Sequence, residues 1–505
     1  MNTVTNEDKP RLIVTGASGF LGRRLLKQLH HRYHIIAIDR RSRSEAALAG
    51  LSNVEWHGID IADESAVATT FDQIRREGSA KALIHLAAWY DFTGEEHVEY
   101  TRTNVEGTRL LLEACEPLGL ERFVFASSLA ACSFLSSEPL TEASPTEGDH
   151  VYARSKRAGE ALMRETKVPT CIVRLAALFS DWCEYPPLYV FLETWLSRSW
   201  NRSVLGGRGT TSVPYLHVRD AADCFIHAVE RGKQLDHAEV LLASPDGATD
   251  HAQLFSTTTE YAEGAPRKAW HVPAPLAWVG MWGRDLAGRV VGQRPFERAW
   301  MADYIDTQLR VDAHKTRERL RWAPRPRLGV LRRLPFMVEN MRANQVEWTM
   351  RNREAMSPVE VKANYRIYRL LEKHQEEIET RFQRMLAGEG GARIPHYEAL
   401  DDDERRWTSR VAMRNLIHAV RTGERNTFMQ FARDVALRRS QQEFSREELI
   451  QALRALDWIC LEVLRGDPEG ALLGRALHDY VTMSIEFGID RVLEVYEDAD
   501  TGAWH

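Results

Sequence analysis

Three glycines at steps of three, Gly16-Ala-Ser-Gly19-Phe-Leu-Gly22, stand between the apolar run Arg11-Leu-Ile-Val-Thr15 and a helical stretch from Arg23 to His30. The first glycine permits a sharp turn off a strand. The second lets backbone approach a pyrophosphate, and the third lets the helix pack closely on the strand. The helix N-terminus then offers free N–H groups and a positive dipole end to phosphate. Gly16, Ser18, Gly19, Phe20, Leu21 and Gly22 are therefore the candidate diphosphate cradle.

The chain beyond this turn fits a parallel sheet. His34-Ile-Ile-Ala-Ile-Asp39, Val54-Glu-Trp-His57, Lys81-Ala-Leu-Ile-His-Leu86, Arg122-Phe-Val-Phe-Ala126 and Thr170-Cys-Ile-Val-Arg174 read as strands, with helical segments such as Thr103 to Glu116 between them. Such alternation predicts an α/β, Rossmann-type doubly wound parallel sheet covered by helices on both faces. The chain's 505 residues are too many for one ordinary core, so two or more domains are expected. The Pro- and Arg-rich stretch Trp322-Ala-Pro-Arg-Pro-Arg-Leu-Gly329 closes the first. We read residues 1–340 as that domain, with a cofactor-binding core over about 10–180 and a substrate part over 181–335. Residues 341–356 read as a helical linker and 357–500 as an all-α bundle.

In the bundle, Ser357-Pro-Val-Glu360 and Ser445-Arg-Glu-Glu448 are capping boxes. The first opens a helix to about Leu386, stopped by the glycines from Gly388 to Gly391. The second starts a helix with Leu449, Leu453, Leu456, Cys460 and Val463 on one face. A last helix carries Leu473, Leu477, Val481, Ile485, Ile489, Val492 and Tyr496.

A net charge of −6 gives no support for nucleic-acid binding. None of the six cysteines is spaced as CxxC, so neither a zinc site nor a disulfide framework is expected, and reduced thiols fit the cytoplasm. No metal is expected. The polar N-terminus has no signal-peptide core, and no uncharged apolar run is long enough to span a bilayer. Ala274 to Val291 comes nearest, but Arg284, Asp285 and Arg289 interrupt it, which predicts an amphipathic helix.

Asp39 closes the second strand where a carboxylate can hold the adenosine ribose hydroxyls and repel a 2′-phosphate, favouring NAD over NADP. Arg40 and Arg41 argue the other way, because a guanidinium there can bind that phosphate. Asp60-Ile61 follows the third strand, where a carboxylate can accept from the adenine amino group.

These segments resemble the extended short-chain dehydrogenase/reductase family, which includes sugar epimerases, dehydratases and 3β-hydroxysteroid dehydrogenases. The resemblance is carried in order by Thr15-Gly-Ala-Ser-Gly-Phe-Leu-Gly22, Asp60-Ile61, His85-Leu86-Ala87-Ala88, Asn104-Val-Glu-Gly-Thr108, Ser127-Ser128, Tyr152-Ala-Arg-Ser-Lys156 and Tyr215-Leu-His-Val-Arg-Asp220. Asp312 to Pro324 resembles the family's closing segment. The resemblance covers about residues 10–335 and implies a nicotinamide cofactor touched by Leu86, Ala87, Ala88, Asn104, Tyr152 and Lys156, with Asn104 supporting the site.

Tyr152 and Lys156 are four apart, hence on one helix face. A phenol titrates near pH ~10. A neighbouring ammonium, with the positive ring of an oxidised nicotinamide, is expected to lower that value so that Tyr152 exchanges a proton with a substrate oxygen during hydride transfer. The resemblance implies that Lys156 also binds the nicotinamide ribose. Ser128 is the group expected to polarise the substrate oxygen, with Ser127 as its neighbouring candidate.

Family dehydratases place an acidic pair where this chain has Leu129-Ala130, and sugar-nucleotide enzymes often place an arginine where it has Val213-Pro214. Plain alcohol/ketone redox on a small, apolar substrate remains. Trp182, Tyr185, Tyr189, Trp195, Trp200 and the segment Trp89 to Gly94 are candidate lining, the five aromatics being equally good core. His217 and Asp220 read as braces for the fold. The helical region from Phe431 through the Ser445 helix resembles the input domains of stressosome RsbR-type regulators, which keeps open a dinucleotide-sensing regulator that signals through a protein partner. A sugar-nucleotide epimerase and a homodimer also stay open.

Overall fold

Seven strands join into one sheet in the computed structural model, which describes residues 9–41, 43, 51–133, 138–291, 296, 298–356, 363–389, 394–422, 425–471 and 473–501. They are β1 (Arg11–Thr15), β2 (His34–Asp39), β3 (Val54–Gly58), β4 (Ala82–His85), β5 (Arg122–Ser128), β6 (Thr170–Leu175) and β7 (Glu239–Ala243). The spatial order is β7-β6-β5-β4-β1-β2-β3. Every pairing is parallel. β7 is the strand that the sequence reading leaves out. Its five residues are too short to separate strand from helix by period, and pairing with β6 decides.

Parallel neighbours need crossovers, and these supply the two outer layers. α1 (Phe20–Leu29) and α5 (Val218–Glu230) cover one face. α2 (Glu64–Arg76), α3 (Gly107–Cys115) and α4 (Val151–Glu165) cover the other. Alternation along β1 feeds both cores: Leu12 and Val14 face the first, Ile13 the second. The strand order reverses between β1 and β4, which opens a crevice at the carboxyl ends of the strands.

The helix expected over Thr103 to Glu116 begins instead with a π-helical turn, Arg102–Glu106. The chain divides into two compact units, Met1–Val359 and Glu360–His505. Residues 341–356 are largely helical, and Trp348 and Asn352 are buried within the first unit. Trp348 Nε1 donates to Glu193, and Asn352 Nδ2 to Trp182 O.

The second unit is a helical bundle around its own apolar core. Its Ser445–Glu448 capping box is formed. The Ser357 box lies outside the described residues; the chain behind it forms two helices, Ala363–Lys373 and Gln375–Arg384, before Gly388 turns left-handed. The last helix is not continuous from Leu473. Gly474 breaks it at φ +41°, and a π-turn, His478–Thr482, precedes Met483–Thr501. Among the described residues no helix is long and apolar enough to cross a membrane, and no group of three or more His, Cys, Asp or Glu could hold a metal. All six cysteines are free and buried.

Candidate active site

At the end of β1 the chain turns through Gly16 at φ +68°, and a Cβ there would meet Ala87 N at 2.7 Å. A Cβ on Gly22 would stand 2.2 Å from Gly16 O. Gly19 differs. Its Cβ would meet only Gly16 O, at 3.1 Å, and no side chain caps α1 behind it. The first-turn N–H groups of a helix have no partner within the helix. The turn therefore presents open space beside uncapped donors, which fits a diphosphate. Leu21 and Gly22 turn inward to the core, whereas Phe20 faces the cavity over Tyr152.

A chain of hydrogen bonds fixes the neighbouring turn. Thr108 Oγ1 donates to Asn104 O at 2.7 Å, so it accepts from His85 Nε2 at 3.0 Å. His85 Nδ1 then accepts from Thr15 Oγ1 at 2.7 Å, and Thr15 Oγ1 accepts from Ala87 N at 3.3 Å. Burial first, then the Lys156 charge, holds His85 down to about 3, so the ring is neutral, as this tautomer requires. The network places Leu86 and Ala87 against Gly16. Asn104 is buried in the π-turn, accepting from Trp89 N and donating to Trp89 O and Ser155 Oγ.

Asp39 stands at the end of β2 and accepts from Ser18 N at 2.8 Å and Arg41 N at 3.0 Å. It thus pins the glycine turn, with lone pairs left for a ligand. Both neighbouring guanidinium groups have acidic partners: Arg40 pairs with Glu99 and Arg41 with Glu354. Asp60 is buried and takes a 2.6 Å bond from Arg102. Burial alone would raise its pKa, but Arg102 and Arg40 bring it below the usual range. Its carboxylate is thus already engaged, and Ile61 beside it packs on Gly107.

Ser128 ends β5 and Tyr152 lies in the first turn of α4, and both side chains line one cavity. Ser127 is excluded from the role expected of Ser128 by its own geometry. It is buried, and its Oγ donates to Glu160 Oε1 at 2.7 Å. Lys156 Nζ donates to Ala126 O at 2.8 Å. The expectation that the ammonium lowers the phenol does not hold in the protein by itself. Burial pushes Tyr152 up to about 12, against the pull of Ser128, and brings Lys156 down to about 8 against the pull of Glu160.

A cavity of about 470 Å³ opens over these groups. Tyr90 packs on Tyr152 at 4.3 Å between ring centres and on Phe92 at 4.6 Å. The sequence reading misses His150, which caps α4 and stacks between Tyr152 and Trp300. A histidine just ahead of the helix was the one available signal. Of the five candidate aromatics, Tyr185 lines this cavity. Trp195 is buried in a core cluster, Tyr189 packs on Trp348, and Trp182 lies under Arg351. Trp200 is 90% exposed. Leu129, Ala130, Val213 and Pro214 all lie in the wall. His217 is paired with Asp181, and Asp220 with Arg325.

The fold and this Ser-Tyr-Lys arrangement resemble a domain of the extended short-chain dehydrogenase/reductase type. Residues 12–243 match the model of the NAD dependent epimerase/dehydratase family. Similarity reaches the human dTDP-D-glucose 4,6-dehydratase at 23% identity over 237 residues, 44% of this chain and 66% of that protein. The 3 beta-hydroxysteroid dehydrogenase/Delta 5-->4-isomerase of monkeypox virus is 30% identical over 190 residues, 33% of this chain and 52% of that protein. The chain thus spans between about half and two-thirds of the length of these relatives. The solved structure of the Bordetella bronchiseptica enzyme WbmG in complex with NAD has the same fold: TM-score 0.52, 17% identity, 68% of this chain and 97% of that one.

Proposed function

We propose that the first unit is an NAD(H)-dependent oxidoreductase acting on a hydroxyl or ketone group of a small, apolar molecule. The carrying observation is the Tyr152 phenol, which lines one aromatic cavity together with Ser128. When bound, the nicotinamide ring supplies the hydride acceptor or donor. Gly16, Gly19 and the start of α1 hold the diphosphate, and Asp39 takes the adenosine ribose. With Arg40 and Arg41 both paired to carboxylates, Asp39 selects against a 2′-phosphate. Tyr152 is protonated at neutral pH and gives its proton to the oxygen of a ketone under reduction, while Ser128 donates to the same oxygen. In the other direction Tyr152 must first lose its proton, which needs a positive charge beside it. Lys156 keeps its bond to Ala126 O and turns its remaining donors to the nicotinamide ribose. Residues beyond 360 are an accessory domain in this reading.

Epimerisation of a nucleotide sugar is the second reading, favoured by the family description. It needs a grip on a diphosphate in the substrate, and Val213 and Pro214 offer none. The test is a screen of secondary alcohols, sterol-like compounds and nucleotide sugars with NAD+ and NADP+, followed by absorbance of the reduced cofactor. Tyr152→Phe is expected to lower kcat by about 10²- to 10⁴-fold with cofactor binding retained. Undiminished turnover in that variant would remove Tyr152 from the chemistry.

A further inference from the structure

A second cavity of about 500 Å³ adjoins the first. The two share Pro187, Thr211, Met301 and Tyr304 in their walls. Its wall includes Phe191, Leu205 and Val272, and the helix Ala274–Val291 contributes Leu276, Ala277 and Met281. This helix is held from outside the cavity: Trp278 Nε1 donates to Asp303 at 3.1 Å, and Asp285 pairs with Arg298 at 3.6 Å.

The chemistry of the lining selects the ligand. His251, the one histidine among the described lining residues, is kept down to about 4 by burial and is neutral. Arg284 is the one cation among the described lining residues, and it is solvent-exposed. A diphosphate would need clustered donors or cations. An apolar chain needs only dry, apolar wall. The outer side of the helix is apolar as well, with Trp278, Val279, Trp282 and Leu286 all exposed.

We propose that the adjoining cavity is a second substrate subsite, which takes the apolar chain of an amphiphilic alcohol or ketone whose oxygen meets Tyr152. The proposal rests on the redox reading above and names its substrate class. Each buried methylene is worth about a three- to fourfold gain in binding.

The experiment uses the full chain and two readouts. In the first, secondary alcohols from butanol to dodecanol are oxidised with NAD+, and kcat/KM is expected to climb by about that factor per methylene until the subsite is full. In the second, a pyrene-labelled dodecanol is titrated and its fluorescence followed without turnover. Gly280→Trp fills the cavity from a position where a Cβ meets nothing within 4 Å. Met281→Lys puts a charge into the wall. Both are expected to weaken probe binding and dodecanol kcat/KM by at least about tenfold, with butanol oxidation within about twofold of the parent. A flat chain-length series, or probe binding unchanged in both variants, overturns the subsite. Absence of turnover on every alcohol counts against the redox reading alone, because probe binding lost in both variants would still support the subsite.

Discussion

Lys156 Nζ lies 5.7 Å from the centre of the Tyr152 ring and gives its hydrogen bond to Ala126 O at 2.8 Å. The two residues share a helix face but not a hydrogen bond of their own, so in the proposed reaction the lysine would act on the phenol through space and through the bound cofactor. Burial brings the ammonium down to about 8, near enough to the working range to be seen in kinetics. The proton on Lys156 is present below that value and lost above it. We therefore expect kcat/KM to fall as pH rises through about 8. Lys156→Arg, which stays charged, should remove that limb of the profile, and a limb unchanged in the arginine variant would assign it to another group.

Asp39 holds the glycine turn by accepting from Ser18 N and keeps lone pairs that the proposed function assigns to the ribose. Asp39→Asn keeps the shape and removes the charge. NAD+ binding, followed by calorimetry, is expected to weaken by about ten- to a hundredfold, as for loss of charged hydrogen bonds, with NADP+ far less affected. Equal losses for both cofactors would mean that Asp39 serves the turn and not the ribose.

Gly22→Ala should be disruptive out of proportion to one methyl group. The new Cβ would lie 2.2 Å from Gly16 O and 2.8 Å from Ala17 O, and neither backbone atom can move without losing the turn. A loss of about 1–3 kcal/mol in urea unfolding is expected, together with cofactor binding. Gly58→Ala is the control, since a Cβ there meets nothing within 4 Å. If both variants unfold alike, the close approach at Gly16 has no energetic weight.

Much of this was legible because it is local. The glycine turn, Asp39 at the strand end and the Tyr152–Lys156 spacing each depend on a few consecutive residues. What was not legible depends on partners far along the chain. The π-turn at Arg102–Glu106 turns Asn104 toward Trp89 and Ser155, 15 and 51 residues away, and no helical period encodes that. Asp60 reads as a free carboxylate until Arg102 is seen to hold it. Ser127 and Ser128 are neighbours of one type, and only the buried Glu160 on α4 separates their roles. The aromatics after Trp182 likewise divide between wall and core through Trp348 and Arg351, which no local signal connects to them.

That same Trp348 sets where the first unit can be cut. It is fully buried, and Asn352 one turn later takes Glu184 N at 2.8 Å. A fragment ending at residue 359 is expected to fold and retain hydride transfer, whereas one ending at 340 loses this buried indole. Loss of a buried tryptophan costs about 3–5 kcal/mol. Thermal melts of the two fragments decide it, and equal melting temperatures would show the helix from Gln345 to be dispensable.

Glu160 and Arg174 form a fully buried pair, joined at 2.9 Å through both carboxylate oxygens. Glu160 also accepts from Ser127 and Arg164, and its charge partly sustains the Lys156 ammonium. Glu160→Gln should cost about 3–5 kcal/mol, because Arg174 is left charged in the core. Replacing both residues with methionine should recover most of the loss. Burial raises the Glu160 pKa, but the Arg174 bonds and charge outweigh it, so the folded value is depressed. The stability from this pair is thus present above the ordinary carboxylate range and is lost as pH falls below that range through the depressed folded value, which predicts a steeper acid transition in the parent than in the double-methionine variant. In Glu160→Gln the pH limb assigned to Lys156 should also move below about 8. A single variant thereby couples core to catalysis, and an unmoved limb would show that the lysine does not sense Glu160.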